Sequence, residues 1–440
     1  MKHRVINLNP SQLLVLVFAV FIFIGTILLK LPFATEDSIT WLNALFTATS
    51  AMTVTGLAVV DTESAFTLFG EIVIVSLIQL GGLGIMSFAI LIYMVLGKKI
   101  GIKQRIVVQQ ALNQTSIGGV ILLVRNLFIF SLTIEAIAML LLAIRWVPQF
   151  GWGKGLYYSF FHSISAFNNA GFALWSDSLM GFVGDPIINI VITLLFIIGG
   201  IGFTVLADMW RKKRFRKLSL HSKMMIIGTF IINLVAMFII FILEYHNPNT
   251  LGGLNSLGDK LWASYFQAVT PRTAGFNSLD ISALQEDTIF LFLILMFIGA
   301  GSASTGGGIK LTTFLVILFS VITFLKGKEE TVLGKRAISL TIVLRSLAIS
   351  TIALFLICLG IFIMNITEEA PFIQVVFEVI SAFGTVGLSM GITGSLTAIG
   401  KAVIIFVMFA GKLGPLTMAF SLANATESRI KYPREDVLTG

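Results

Sequence analysis

Four short stretches of this chain share one pattern: a residue pair, a glycine, then a large apolar residue. They are Val54-Thr55-Gly56-Leu57, Asn169-Ala170-Gly171-Phe172, Thr273-Ala274-Gly275-Phe276 and Thr385-Val386-Gly387-Leu388. Successive glycines stand 115, 104 and 112 residues apart, and an aromatic residue lies ten positions before each: Phe46, Phe161, Tyr265 and Phe377. A fixed period of this kind marks a repeated structural unit. The units run 1–110, 111–220, 221–335 and 336–440. Each glycine permits positive φ and so lets the neighbouring carbonyls turn to one side. Four such loops around one axis make a ring of oxygens able to coordinate an ion.

Composition says which solvent those loops meet. Of 440 residues, 56% are hydrophobic and 12% charged, against about 25% charged in an ordinary soluble domain. No soluble core hides that much apolar surface, so the bilayer is the solvent. The stretch from about Ser11 to Leu31 is long enough to cross it. With no Ala-x-Ala site and direct continuation into the first unit, it reads as a retained span rather than a signal peptide. A single cysteine, Cys358, excludes an intrachain disulfide, and the four histidines are scattered without metal-ligand spacing. The net charge of +8 is unevenly placed. Lysine and arginine gather at 98–105, 211–223, 326–336 and 429–434, whereas the alternate loops carry Glu36, Asp37, Asp61, Glu63, Asp177, Asp185, Asp280, Glu286, Asp287, Glu368 and Glu369. The basic loops are therefore cytoplasmic, as are both termini. The acidic face is outer and concentrates cations. Basic residues beside membrane spans reflect topology, so no nucleic-acid partner is expected.

Each unit reads as a long span, an outer loop, a half-length re-entrant helix, the glycine loop, and a second long span. The short helices fall at about Thr40–Met52, Leu156–Asn168, Lys260–Pro271 and Pro371–Phe383. The second spans fall at about Phe69–Leu96, Pro186–Trp210, Thr288–Phe324 and Ala398–Ala425. The fold class is an all-α membrane protein of four tandem helix–pore-loop–helix repeats. That makes eight transmembrane helices plus four re-entrant pore helices, with pseudo-fourfold symmetry about the membrane normal. Non-helical backbone at membrane depth survives only against protein or a wet cavity, so the four loops belong on the central axis. The helix C-termini aimed there favour a cation. One such tripeptide alone is an ordinary turn. Four at matched spacing make Val54, Thr55, Gly56, Asn169, Ala170, Gly171, Thr273, Ala274, Gly275, Thr385, Val386 and Gly387 candidate ion-binding residues.

These loops resemble the filter loops of the superfamily of potassium transporters comprising Trk, Ktr and HKT proteins, over essentially the whole chain. The length and short termini are most similar to the ion-translocating membrane subunit of bacterial Ktr systems. The resemblance implies channel-like potassium uptake through a single-glycine selectivity filter, with sodium as an activating ion. It implies a homodimer in the bacterial cell membrane, with a cytosolic KtrA-like, RCK-type regulatory ring. ATP or ADP is expected on that ring alone, and no cofactor is bound covalently. In HKT relatives a serine at the first filter glycine accompanies sodium permeation; Gly56 therefore implies potassium. The loops depart from the Thr-Val-Gly-Tyr-Gly of simple potassium channels in keeping one glycine each, which implies weaker selectivity.

The third second span is interrupted by Gly299-Ala300-Gly301-Ser302-Ala303-Ser304-Thr305-Gly306-Gly307-Gly308-Ile309-Lys310. Each glycine costs a helix about 1 kcal/mol relative to alanine, so helix is not expected to persist there. The stretch is no P-loop, because Lys310 is not followed by Ser or Thr. It reads either as a packing kink or as a plug beneath the loops; the resemblance implies an intramembrane gate over Gly301, Ser302, Ala303, Ser304, Thr305, Gly306, Gly307 and Gly308. The shorter runs Gly81–Gly84 and Gly199–Gly202 are compatible with continuous helix. Lys412, mid-span in the fourth unit, reads either as facing the cavity or a carbonyl cluster or as snorkelling to an interface, and the resemblance places it against the gate. Arg125, Glu135 and Arg345 read as structural pairs, and Arg272 as a cap on the third short helix. The alternatives are an alternating-access potassium–sodium symporter and a sodium-permeable pore. No His-Glu-x-x-His, paired membrane aspartates or Gly-x-Ser-x-Gly appears, so an enzyme is not expected.

Overall fold

The structure, a computed structural model, describes residues 10–84, 87, 120–415, 417, 418 and 435. The expectations for the basic stretches at 98–105 and 429–434, the ends of the spans at 69–96 and 398–425, the boundary at 110, and both termini lie outside the described residues.

The regular elements of the described chain are helices apart from one two-stranded hairpin, β1 (Val332–Leu333) and β2 (Arg336–Ala337). In chain order the helices are α1 (Pro10–Leu29), α2 (Trp41–Thr53), α3 (Leu68–Leu83), α4 (Val120–Phe167), α5 (Pro186–Ile201) and α6 (Phe203–Lys212). They continue as α7 (Leu220–Glu244), α8 (Leu257–Val269), α9 (Glu286–Phe297), α10 (Leu311–Leu325), α11 (Leu340–Thr367), α12 (Phe372–Gly384) and α13 (Ala398–Leu413). Helix starts are set locally. Thr40, Thr67, Ser219, Ser256 and Thr397 each accept a hydrogen bond from a backbone N–H of the first turn, and Asp185 accepts two. Each such cap is worth about 1 kcal/mol.

The helices at Ser11–Leu29, Val124–Phe167, Leu220–Glu244 and Leu340–Thr367 are long and apolar enough to cross a membrane. Their outer faces carry bare apolar side chains such as Phe23, Phe230, Ile242 and Phe355, as lipid-facing surfaces require. α4 is two arms rather than one rod, since Gly151 sits at φ 80 just after Pro148. Its second arm and α2, α8 and α12 are the short helices. Phe46, Phe161 and Phe377 on them are fully buried, while Tyr265 accepts a hydrogen bond from Thr193 at 3.1 Å. α2 packs on α1, α3 and α13; α4 on α5; α8 on α7; and α12 on α11 and α13. The contact of α13 with α2 joins the end of the chain to its beginning.

The structure corrects the second spans. α3, α5 and α13 stop at Gly84 (φ 84), Gly202 (φ 103) and Gly414 (φ 85). α5 and α6, read from sequence as one span over Pro186–Trp210, meet at 93°. Helix does persist through Gly199, Gly200 and Ile201, but Gly202 takes a conformation an L side chain resists. The turn just before each break also presses on a short helix. Gly81, Gly199 and Gly411 lie against the carbonyl oxygens of Met52, Phe167 and Phe383, leaving no space for a Cβ.

Candidate ion-binding site

Each short helix ends the same way. Val54, Asn169, Thr273 and Thr385 adopt left-handed backbone with φ of 50, 58, 70 and 49, which turns the chain out of its helix. None is glycine, so each costs about 1–2 kcal/mol that its surroundings must offset. Backbone bonds do so: Thr55, Ala170 and Val386 donate to the carbonyls of Ser50, Ser165 and Ser381 at 2.8, 2.8 and 2.9 Å, and Ala274 donates to Thr270 at 3.0 Å. Side chains complete the pinning. Ser50 Oγ accepts from Gly56 N at 3.1 Å, Ser165 Oγ donates to Phe172 O at 2.8 Å, and Thr270 Oγ1 donates to Phe276 O.

Two residues on, Gly56, Gly171, Gly275 and Gly387 stand at φ 93, 71, 80 and 90. They close a ring. A Cβ on Gly56 would lie 2.5 Å from Ala170 O and 3.0 Å from Gly171 Cα; on Gly171, 2.8 Å from Gly275 Cα and 3.2 Å from Ala274 O. On Gly275 it would crowd Val386 O, and on Gly387 it would crowd Thr55 O and approach Gly56 Cα to 2.9 Å. The carbonyl oxygens of Thr55, Ala170, Ala274 and Val386 thus each lie against the glycine of a neighbouring loop. All twelve candidate residues fall in this ring or directly beneath it.

On the side of the residues that follow the glycines lies a cavity of about 400 Å³, lined by all four glycines, Asp61 and Ser176. On the side of the residues that precede them lies the stretch Ile298–Lys310. It is not helical, and Ile298 and Ile309 bridge in parallel. The broken helices explain why it is held there. A helix end leaves backbone groups without partners. The carbonyls of Gly199 and Gly200, at the end of α5, receive the N–H groups of Thr305 (3.2 Å) and Gly301 (2.7 Å), and the first N–H of α6, Phe203, donates to Ala303 O at 2.8 Å. Gly308 N donates to Gly411 O at 3.3 Å.

The stretch is also tied to the loops themselves. Thr305 Oγ1 donates to Asn169 Oδ1 at 2.9 Å, Asn169 Nδ2 donates to Thr273 Oγ1 at 3.3 Å, and Gly307 N donates to Thr385 Oγ1 at 2.9 Å. Gly306 and Gly307 sit so close to Thr273 and Thr385 that a Cβ on either would collide. Lys412 Nζ donates to Thr305 O. Lys310 Nζ donates to Gly306 O at 2.7 Å and reaches Gly307 O at 3.5 Å. Sequence reasoning weighed Lys310 only against phosphate binding. Its signal was present, a lone cation closing a glycine run. Lys310, Lys412, Arg345, Ser304 and Gly306 line a further cavity of about 170 Å³.

Other charged residues differ from expectation. Arg272 does not cap its helix; its guanidinium reaches Asn233 Oδ1 at 3.3 Å and Gly299 O at 3.5 Å, because its side chain turns away from α8 toward α7 and the broken span. Among the described residues the ion pairs are Arg145–Asp185 and Lys212–Asp208, and neither involves Arg125, Arg345 or Glu135. Glu135 instead accepts from carboxamides.

Residues 7–430 match the family model described as TrkH, cation transport protein. The Ktr system potassium uptake protein B of Bacillus subtilis is 60% identical, over 99% of this chain and 98% of that one. The protein of the same description from Vibrio alginolyticus is 46% identical, over 94% of this chain and 92% of that one. The crystal structure of the potassium transporter TrkH from Vibrio parahaemolyticus superposes with a TM-score of 0.76 at 21% identity, covering 96% of this chain and 86% of that one.

Proposed function

Because this chain belongs to the TrkH family of cation transport proteins, we propose that it is the potassium-translocating membrane subunit of a Ktr-type uptake system. It is an ion transporter of the membrane and not an enzyme. In this reading potassium moves channel-like, down its electrochemical gradient, through the ring of glycines. Four tandem helix–pore-loop–helix units surround the ring with pseudo-fourfold symmetry, over 1–110, 111–220, 221–335 and 336–440. The observation that carries the reading is the closure of Gly56, Gly171, Gly275 and Gly387 on one another, with the carbonyls of Thr55, Ala170, Ala274 and Val386 between them. An ion entering so narrow a passage sheds water, which is costly unless other oxygens replace it. Main-chain oxygens from four loops are the replacement, and the αL turns beneath them hold those oxygens without side-chain flexibility.

Residues Gly301–Gly308 are the gate in this reading. The stretch blocks the passage because it donates to Asn169 and Thr385, directly below the ring. Lys412 and Lys310 clamp its carbonyls, and their ammonium groups oppose a cation leaving the ring. The cavity containing Asp61 is then the outer mouth. Relatives described as parts of a Ktr system support a second component. A cytosolic RCK-type ring, carrying ATP or ADP, is assigned to the polar stretches 98–117, 210–223 and 326–337, with a homodimer of this chain above it. Sodium acts as an activating ion.

Growth on low potassium in a transport-deficient strain tests the substrate. The chain together with a cytosolic ring subunit is expected to restore growth, and the chain alone to restore it less. No rescue in either case, with the protein present in the membrane, would remove potassium as the substrate. Gly56→Ser tests the ring: its added side chain meets Ala170 O, and the reversal potential is expected to move toward that of sodium. An unmoved reversal potential removes the filter assignment.

A further inference from the structure

Away from the ring and the gate, one polar cluster joins three elements inside the helical bundle. Glu135 on α4 is 5% exposed. Gln79 on α3 donates from Nε2 to both of its carboxylate oxygens, at 3.1 and 3.0 Å. Gln79 Oε1 in turn accepts from Asn168 Nδ2 at 2.6 Å. The same nitrogen donates to Ile164 O at 2.9 Å and lies 3.5 Å from Glu135 Oε1. Asn168 is fully buried, and Gly82 makes room for its carboxamide, with which a Cβ on Gly82 would collide. Asn168 immediately precedes Asn169, whose side chain meets both Thr273 and Thr305.

The order of donors and acceptors in this cluster is fixed from one end. Both Glu135 carboxyl oxygens accept from Gln79 Nε2, so Gln79 presents its NH₂ to Glu135. The Gln79 carbonyl then faces Asn168, which must present its own NH₂. A buried carboxylate without a cation is expensive in a membrane protein, and hydrophobic burial of α3 on α4 needs no such group. The other three loops lack this arrangement. At the place matching Asn168, Thr53 bonds to Thr49 O and to Thr55 Oγ1 of its own loop, Arg272 reaches Asn233 and Gly299, and Gly384 has no side chain, so none of them is held by a carboxyl group on another helix. We propose that Glu135 is a positioning residue for ion selection: through Gln79 and Asn168 it fixes the second loop, Asn169–Gly171, in the shape the ring requires. The inference rests on the reading that this loop lines the ion pathway.

The test exchanges the polar groups. Glu135→Gln leaves two carboxamides facing each other, and Gln79→Glu leaves two carboxylates. The double variant Gln79→Glu with Glu135→Gln restores one acceptor-only group and one carboxamide, in transposed places. Potassium and sodium fluxes into proteoliposomes are compared, with gel filtration and melting temperature reporting assembly. Each single variant is expected to lose potassium-over-sodium discrimination about fivefold, the factor that goes with one net hydrogen bond, and the double variant to return to within about twofold of the unsubstituted protein, as compensation between directly bonded partners requires. Assembled single variants with unchanged discrimination overturn the proposal. So does a double variant no better than the singles.

If the single variants do not assemble, the double variant and Asn168→Thr decide. Asn168→Thr places the side chain of Thr53 at the matching position. Discrimination kept by the double variant and lost in Asn168→Thr upholds the anchor; any other combination overturns it. Gly56→Ser, measured alongside, separates the two readings. If it shifts discrimination while the Gln79 and Glu135 variants do not, the anchor is wrong and the ring stands. If it does not, the ring assignment itself fails.

Discussion

At the scale of single residues, the site is built from main-chain groups placed by strained turns and from a few side chains that reach across. The link from Thr305 Oγ1 to Asn169 Oδ1 is one neutral hydrogen bond, worth about 1 kcal/mol net. Thr305→Val removes the donor and keeps the shape, while the carbonyl gripped by Lys412 stays. In a potassium-loaded proteoliposome assay of the chain alone, flux is expected to rise about fivefold, the factor that free energy gives. Unchanged flux would remove this link from the gate. The glycines of the ring were legible in sequence because their spacing repeats and because only glycine tolerates both their φ and their contacts. The left-handed residues before them were not. Val54, Thr273 and Thr385 are β-branched, a type that avoids this conformation. They adopt it because the bonds from Thr55 to Ser50 and from Val386 to Ser381 close the turn around them. Arg272 was misjudged for a related reason: a long side chain at a helix end has many reachable acceptors, and packing selects Asn233 and Gly299.

At the scale of elements, the informative departures are helices that stop early. Hydropathy follows solvent and is blind to a bend, so 186–210 read as one span. The 93° bend at Gly202 leaves the last carbonyls of α5 free, and the stretch Ile298–Lys310 fills them. Bend and stretch therefore depend on each other. Gly202→Ala forces a Cβ to within 2.5 Å of Ser302 O at φ 103. It is expected to cost at least ~1–2 kcal/mol, seen as a lower melting temperature in detergent together with raised partner-independent flux. A lowered melting temperature with normal flux would mean that the bend serves stability alone. The short helices fared better from sequence, since a 13-residue apolar helix such as α12 cannot cross a bilayer that needs about 20 residues. Their caps, Thr40 and Ser256 among them, are local signals.

At the scale of the whole molecule, charge is distributed along the proposed path. Asp61 lines the cavity above the ring, where it accepts from Ser176 at 2.7 Å and Ser64 at 3.1 Å, while Lys310, Lys412 and Arg345 line the cavity by the gate. An exposed carboxylate at a mouth raises local cation concentration, an effect that salt screens over about 10 Å at 0.1 M. Asp61→Asn is expected to raise the potassium concentration for half-maximal uptake about two- to threefold at low ionic strength. The difference should vanish when an impermeant salt is added; a shift that ignores salt would point to altered structure instead. The sequence alone determined that the bilayer is the solvent, that the chain carries four loops of one kind, and where their glycines stand, because composition and spacing are properties of the linear chain. Only the tertiary structure decided which groups meet. The bonds from Thr305 to Asn169 and from Gly307 to Thr385 join residues 136 and 78 apart. Backbone buried away from water must find partners wherever the fold brings them, and no local pattern in the chain encodes which of several broken helix ends will supply them.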